Sequence, residues 1–426
     1  MPKAGVKPKQ TFPEIVDLNI GQTQDQSLVP NMEELTQTTS VTELVDLIIV
    51  KAWEAGASDV HVDPMSDAVL VRYRIDGILH DIARLNKDLQ PLIVTRIKVL
   101  SGLRTDEHFA AQDGRFRINM EDTQIDLRVS ILTTYNGENV VMRLLVSDVR
   151  ALTLEQLGFS EASLKLMNKH IKKPHGMILA TGPTGSGKTS TLYSVVEMLN
   201  TRDVSVVTIE DPIEFAVPGI TQIQVNTQTN LTFAAGLRSI VRQDPNTILV
   251  GEIRDSETAS IAVNAAMTGH RVLSTLHTTD AATTLPRLLD MGVESFLIAS
   301  TVNIAIGQRL VRRLCPKCRI MKPLNEDDLL ALSSTMPKEV LQQYPEFGSP
   351  VGCKECNQTG YTKRLGIYEI LELSDSVRKL VMHRANADEI RQAARSEGMV
   401  TMLEDGIQKA AAGTTSIAEI LRVILD

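Results

Sequence analysis

The 426-residue chain has no apolar run approaching the length of a membrane-spanning helix. Its N-terminus is polar and lacks the apolar core of a secretory signal. Together these absences predict a cytosolic protein that touches a membrane only through partners. A positive balance is also missing. With 44 Lys and Arg against 52 Asp and Glu, the net charge is −8, so bulk electrostatics favour neither nucleic acid nor anionic lipid. No recognisable DNA-binding motif is present, so no direct nucleic-acid partner is expected. Cysteine is scarce, with only four residues, Cys315, Cys318, Cys353 and Cys356, in two closely spaced pairs. What remains is a soluble globular balance, 43% hydrophobic and 23% charged, in a chain long enough for two to four domains.

The rest of the chain is organised around Gly182-Pro183-Thr184-Gly185-Ser186-Gly187-Lys188-Thr189. The apolar run Met177-Ile178-Leu179-Ala180 leads into it, and a helix-like run from Ser190 to Leu199 leads out. Strand, glycine loop and helix with this spacing fit the phosphate loop of P-loop NTPases; the alternative is a chance glycine turn. The chemistry accounts for each residue type. Glycines let backbone N–H groups turn inward as an anion nest. The following helix aims its positive end at the same phosphates. Lys188 would reach the β- and γ-phosphates of ATP, and Thr189 would offer its hydroxyl to Mg²⁺.

Two further apolar runs end in acids. Val206-Val207-Thr208-Ile209 enters Glu210-Asp211-Pro212-Ile213-Glu214, and Thr247-Ile248-Leu249-Val250 enters Gly251-Glu252-Ile253-Arg254-Asp255. Both read as buried strands that deliver carboxylates to the carboxyl edge of a parallel sheet. A fourth run, Thr268 to Asp280, adds a strand ending in His277. An isolated histidine is more often structural, but a place beside a nucleotide suits a sensor of its state.

The cysteines form Cys-Pro-Lys-Cys and Cys-Lys-Glu-Cys, two knuckles that read as a tetrahedral Cys₄ zinc site. Disulfides fit a cytosolic chain poorly, and a redox Cys-x-x-Cys needs only one pair. Four thiolates close the coordination shell, so the zinc is expected to be structural.

The four boxes around Lys188, Glu210, Glu252 and His277, in this order and spacing, resemble the secretion ATPase superfamily over residues 41 to 426. That family includes the type II secretion, type IV pilus assembly and pilus retraction motors. The resemblance implies an α/β chain with a RecA-like P-loop motor domain, an N-terminal PAS-like α/β domain, a Cys₄ zinc module and a helical C-terminal region. Expected boundaries are a leader over 1–40, the N-terminal domain over 41–150 and a packed linker over 151–173. The motor domain follows over 174–314, the zinc module over 315–365 and the helical region over 366–426. Assembly ATPases of this family often carry a further upstream domain, for which the residues before Val41 leave no room.

The resemblance further implies a homo-hexamer acting on an inner-membrane platform protein. It makes Glu252 the residue that polarises the attacking water, with Glu210 helping to hold Mg²⁺ or that water. It makes Arg72 the leading arginine finger on a neighbour's ATP, ahead of Arg74 and Arg115; for alternating arginines the plainer reading is a solvated strand face. Family patterns place a second finger near residue 87, where this chain has Lys87. A zinc module is typical of assembly and type II secretion ATPases and is generally missing from retraction motors. A pilus or pseudopilus assembly ATPase is therefore the expected function. A retraction motor, a DNA translocase and a non-catalytic nucleotide-binding scaffold are the alternatives.

Overall fold

The structure is a computed structural model that describes residues 15–17, 40–120, 123–146, 152–324, 332 and 343–425. Most of the leader expected over 1–40, the first residue of the expected linker and the middle of the expected zinc module lie outside the described residues. The chain divides into two compact units, Met1–Val149 and Arg150–Asp426.

In the first unit, helix α1 (Val41–Glu54) starts at a capping box in which Ser40 and Glu43 satisfy each other's backbone N–H groups. Its strands are β1 (Ile15–Asp17), β2 (Ala57–Pro64), β3 (Ala68–Ile75), β4 (Ile78–Asn86), β5 (Gln112–Met120), β6 (Thr123–Thr134) and β7 (Gly137–Val146). They form one sheet in the order β1-β5-β6-β7-β2-β3-β4. The β3–β4 hairpin turns at Asp76 and Gly77, with φ of 50° and 88°, the two left-handed positions that a tight Asp-Gly turn requires. Along β3 the apolar Val69, Val71 and Tyr73 face inward while Arg72 and Arg74 face out. The inward set packs with Ile48 and Ile49 of α1 and Ile93 and Ile97 of α2 (Gln90–Leu100). The Tyr73 hydroxyl donates to the Ile48 carbonyl at 2.6 Å and ties strand to helix.

The second unit is built on β8 (Gly176–Thr181), β9 (Val206–Glu210), β10 (Thr221–Gln224), β11 (Thr247–Val250), β12 (Arg271–Leu276), β13 (Val302–Leu314) and β16 (Tyr361–Glu372). Their order is β10-β9-β11-β12-β8-β13-β16. Pairing is parallel except for β16, which runs antiparallel to β13. All six residues of β8 are buried, because both faces of this central strand are covered. Met177 and Leu179 face a core with α6 (Phe233–Val241), α7 (Ser256–Met267), α8 (Thr284–Asp290), α9 (Ser295–Thr301), α10 (Asp375–Met382) and α11 (Ala387–Ser396). Ile178 and Ala180 face the opposite core with α3 (Leu154–Leu157), α4 (Glu161–Ile171) and α5 (Lys188–Leu199). Leu154 and Phe159 are thus core residues of this unit, whereas Leu152 is exposed.

Beyond the sheet, two short strands, β14 (Ile320–Lys322) and β15 (Phe347–Ser349), pair antiparallel near the cysteines. Helices α12 (Met402–Ala411) and α13 (Ile417–Leu425) close the chain. Val381 and Ile390 are buried in the core that holds Met177 and Leu179, Met402 packs with Val311 and Ile367, and Ile417 and Ile420 form a smaller core with Phe347. The expected boundary at 365/366 falls inside β16, whose pairing from Tyr361 to Glu372 makes it an edge strand of the central sheet. Among the described residues no helix is long and apolar enough to cross a membrane.

Candidate nucleotide site

The registers bring the carboxyl ends of the parallel strands to one edge. Thr181 stands opposite Leu276 on one side and Gly307 on the other, and Val250 stands opposite both Ile209 and Ser274. The glycine loop leaves β8 at this edge, the place where α/β sheets bind ligands. Gly182, Gly185 and Gly187 all have positive φ, at 146°, 79° and 87°. A Cβ on Gly182 would lie 2.5 Å from the Gln308 carbonyl and 2.6 Å from Ser186 Oγ, so the turn admits only glycine. Pro183 and Thr184 form the exposed outer part of the loop, and Thr189 is exposed on the first turn of α5. Ser186 Oγ is buried and makes no hydrogen bond within the chain.

Lys188 opens α5 directly after left-handed Gly187, and is only 8% exposed. Its Nζ donates to the Gly182 and Pro183 carbonyls at 2.8 and 2.9 Å. Burial lowers its pKa, Glu252 opposes that by its negative charge, and the nearby Arg309 adds to the lowering. A curled loop, a helix N-terminus and a largely buried ammonium make a site for a polyphosphate.

Glu252 follows β11, with its side chain 12% exposed. Its Oε1 lies 2.5 Å from Arg254 Nη2, and its Oε2 lies 3.2 Å from His277 Nε2. The two strand ends that carry this pair are stitched together: Ile253 N–H donates to Thr275 O at 3.0 Å, and Thr275 Oγ1 donates to Gly251 O at 2.7 Å. The loop after His277 is tied to the P-loop strand, because Thr278 N–H donates to Thr181 Oγ1 at 3.1 Å. Lys188, Glu252 and His277, read separately from three boxes, therefore come together. His270 does not join them; its Nδ1 lies 2.9 Å from the Ala265 carbonyl.

Glu210 ends the neighbouring strand in a different setting. The Tyr193 hydroxyl donates to its Oε2, and Thr208 Oγ1 donates to Oε1 at 2.5 Å. Burial, reinforced by Glu210, raises the Tyr193 pKa, so this phenol stays a donor. The carboxylate is buried and braced against α5 by its own chain.

The arginines singled out as fingers belong to the first unit. Arg72 Nε pairs with Asp63 at 2.7 Å. Arg74 Nη1 donates to Gly77 O at 3.1 Å, with Asp59 3.6 Å from its Nε. Arg115 lies across from Arg128 in the β5–β6 ladder. Lys87, at the place expected of a second finger, donates to the Met65 and Asn136 carbonyls at 2.5 and 2.6 Å, which gives its ammonium a structural task.

All four cysteines are free thiols, with ligand atoms within 4.8 Å of one another. The Cys315–Cys353 and Cys318–Cys356 sulfur separations are both 3.8 Å, and Cys353–Cys356 is 3.6 Å. These are far beyond a disulfide bond. Metal–sulfur bonds of about 2.3 Å in a tetrahedron would put sulfurs roughly 3.8 Å apart, so the set is compatible with zinc. Burial opposes ionisation of Cys356. The N–H groups of Cys353 and Gly360, each 3.2 Å from its sulfur, together with the Cys353 and Cys318 side chains, outweigh that and bring it down to about 7. Partial burial instead pushes Cys318 up to about 11.

A glycine loop between a buried parallel strand and a helix, with acids and a histidine on adjacent strand ends, defines a P-loop ATPase. Residues 34–422 match the family described as type II/IV secretion system protein. The chain is 43% identical over 401 residues to type II secretion system protein HxcR of Pseudomonas aeruginosa, spanning 93% of this chain and 81% of that one. It is 42% identical over 395 residues to the type IV pilus assembly ATPase PilB of Myxococcus xanthus, spanning 92% and 69%. The ATPase DotB of Legionella pneumophila shares the fold, with a TM-score of 0.66 at 22% identity over 91% of this chain and 97% of that one. The chain belongs to the type II/IV secretion system protein family. The resemblance carried by the four boxes, the α/β fold class and the assignment as an ATP hydrolase are all borne out.

The boxes did not reveal every neighbour of the site. Arg254 sits two residues beyond the motif glutamate, Glu252. Gln308, Arg309 and Thr181 carry no motif; only the length of β13 past the end of β8 signals that residues 308 and 309 lie beside the loop.

Proposed function

We propose that this chain is the ATP-hydrolysing motor that drives assembly of a type IV pilus or a type II secretion pseudopilus. It works as a cytosolic homo-hexamer that turns or deforms an inner-membrane platform protein. The observation that carries the catalytic part of this reading is Glu252, held by Arg254 and His277 at the sheet edge where Lys188 projects. In this reading the loop from Gly182 to Thr189 cradles the phosphates and Lys188 neutralises them. Thr189 offers its hydroxyl to the Mg²⁺ that accompanies ATP and supplies further charge neutralisation. Glu252 orients the attacking water, His277 senses the γ-phosphate, and Glu210 on the next strand helps to hold Mg²⁺ or that water. Arg72 acts on a neighbouring subunit's ATP, with Arg74 and Arg115 as lesser candidates.

Cys315, Cys318, Cys353 and Cys356 hold one structural zinc in this reading. The purified chain should carry about one zinc, set by four thiolates. Replacing Cys315 or Cys356 by serine should melt the module before the rest of the unit, as read by metal analysis and limited proteolysis. Zinc-free protein after purification without chelators overturns the assignment. The module also favours an assembly motor over a retraction motor.

One complementation experiment tests both the role and the finger. A cell lacking this chain should lose its filaments or its secreted products. Neither Arg72→Ala nor Lys188→Ala alone should restore them. The two expressed together should restore some, because a mixed ring holds sites with an intact P-loop beside an intact finger; a finger in trans is worth about 10³-fold or more in rate. Unaltered filaments and secretion in the deletion strain reject the role. Restoration by Arg72→Ala alone rejects the finger.

A further inference from the structure

We propose that Gln308 is a positioning residue for ATP binding that sets the shape of the phosphate loop through its amide. The inference rests on the glycine loop being the ATP site. Gln308 lies on β13, one residue beyond the Gly307–Thr181 pairing, where the strand runs on beside the loop. Its side chain is 0% exposed. A fully buried amide is costly unless both its ends are satisfied, and here both are satisfied by the nucleotide-binding element. Nε2 donates to the Ser186 carbonyl at 2.7 Å, and Oε1 accepts from Thr191 Oγ1 at 2.9 Å. Ser186 belongs to the loop and Thr191 to the first turn of α5.

These partners fix the amide's orientation. A carbonyl oxygen can only accept, so the NH₂ end must face Ser186, and the Thr191 hydroxyl is left to donate to Oε1. In a trans peptide the Ser186 carbonyl and the Gly187 N–H point in opposite directions. Drawing the Ser186 oxygen onto Gln308 therefore turns the Gly187 N–H away from β13 and into the concave side of the loop, where a phosphate oxygen would accept it. Gly187 keeps this geometry because its left-handed φ of 87° suits glycine, and a Cβ there would press within 3.3 Å of Gln308 Nε2. The Gln308 carbonyl also abuts Gly182, 2.5 Å from where a Cβ would stand. One residue thus shapes both ends of the loop without needing to touch nucleotide.

The test is Gln308→Leu, which keeps much of the volume and removes both hydrogen bonds. Without these bonds the loop is no longer held in its binding shape, so KM for ATP and Kd for ADP should rise by about tenfold, and kcat should fall by less. Thr191→Val, which removes the hydroxyl that donates to Gln308 Oε1, should raise KM by a few-fold. Added to Gln308→Leu it should change KM little, because both act through one network. Parent KM and Kd in Gln308→Leu overturn the proposal, as does full additivity of the pair. If Gln308→Leu does not fold, Thr191→Val decides alone: a raised KM supports the proposal and a parent KM overturns it. Lys188→Ala, measured alongside, separates the two levels. If it leaves binding intact, the site assignment itself fails; if it impairs binding while Gln308→Leu does not, only the role of Gln308 fails.

Discussion

Lys188→Ala is expected to abolish measurable ATP turnover and to weaken nucleotide binding. Backbone N–H groups of the loop and the α5 terminus supply only partial charges to a polyphosphate. The full charge comes from Lys188, which the fold has already drawn from water and rested on the Gly182 and Pro183 carbonyls. Phosphate oxygens would replace those two neutral acceptors with negatively charged ones, so the ammonium gains an opposite charge in a site where water screens little. Arg254 does not substitute for it, because it is engaged by Glu252. Loss of a single preorganised donor of this kind costs about 10²–10³ in rate, and turnover should fall by at least that much. Phosphate release and fluorescent-nucleotide titration check the two halves. Parent turnover in this variant would reject the phosphate-loop assignment.

Much of this site was legible because its chemistry is written in short contiguous runs. Gly182 to Thr189 names a loop whose glycines are forced by φ and by close contacts. Asp76-Gly77 is a signal of the same local kind, because a tight hairpin turn needs two left-handed positions. The alternation that turns Val69, Val71 and Tyr73 inward also told that Arg72 and Arg74 face out. What stayed hidden depends on register between distant strands. Gln308 reads as an ordinary polar residue until β13 is paired with β8 and shown to run past its end. Strand β16 reads as the start of a helical region until its antiparallel pairing with β13 draws it into the central sheet. Glu210 and Glu252 look alike in sequence, each an acid after an apolar strand. They part company only through neighbours: Tyr193 and Thr208 bind the first, Arg254 and His277 the second.

That contrast sets the second large effect. Glu252→Gln should bind ATP within a few-fold of the parent and hydrolyse it far more slowly. The amide keeps the shape and the place between Arg254 and His277, but it cannot accept a proton or orient water as an anion does. General-base contributions of this kind are typically worth about 10²–10⁴-fold. Arg254 sharpens the expectation. Its side chain is 63% exposed, whereas that of Glu252 is 12% exposed, so of the two it is the arginine that has room to swing away when water must reach the carboxylate. Weakening their ion pair alone is worth little at a surface, so any large loss in Glu252→Gln is assigned to the missing anion. Arg254→Ala supplies the control and should bind ATP and retain more turnover than Glu252→Gln. Single-turnover hydrolysis together with nucleotide titration separates chemistry from binding. If Glu252→Gln hydrolyses ATP near the parent rate, Glu252 is not the residue that activates water. Glu210 then becomes the leading carboxylate, and Tyr193→Phe, which strips its hydroxyl partner, is the variant to measure next.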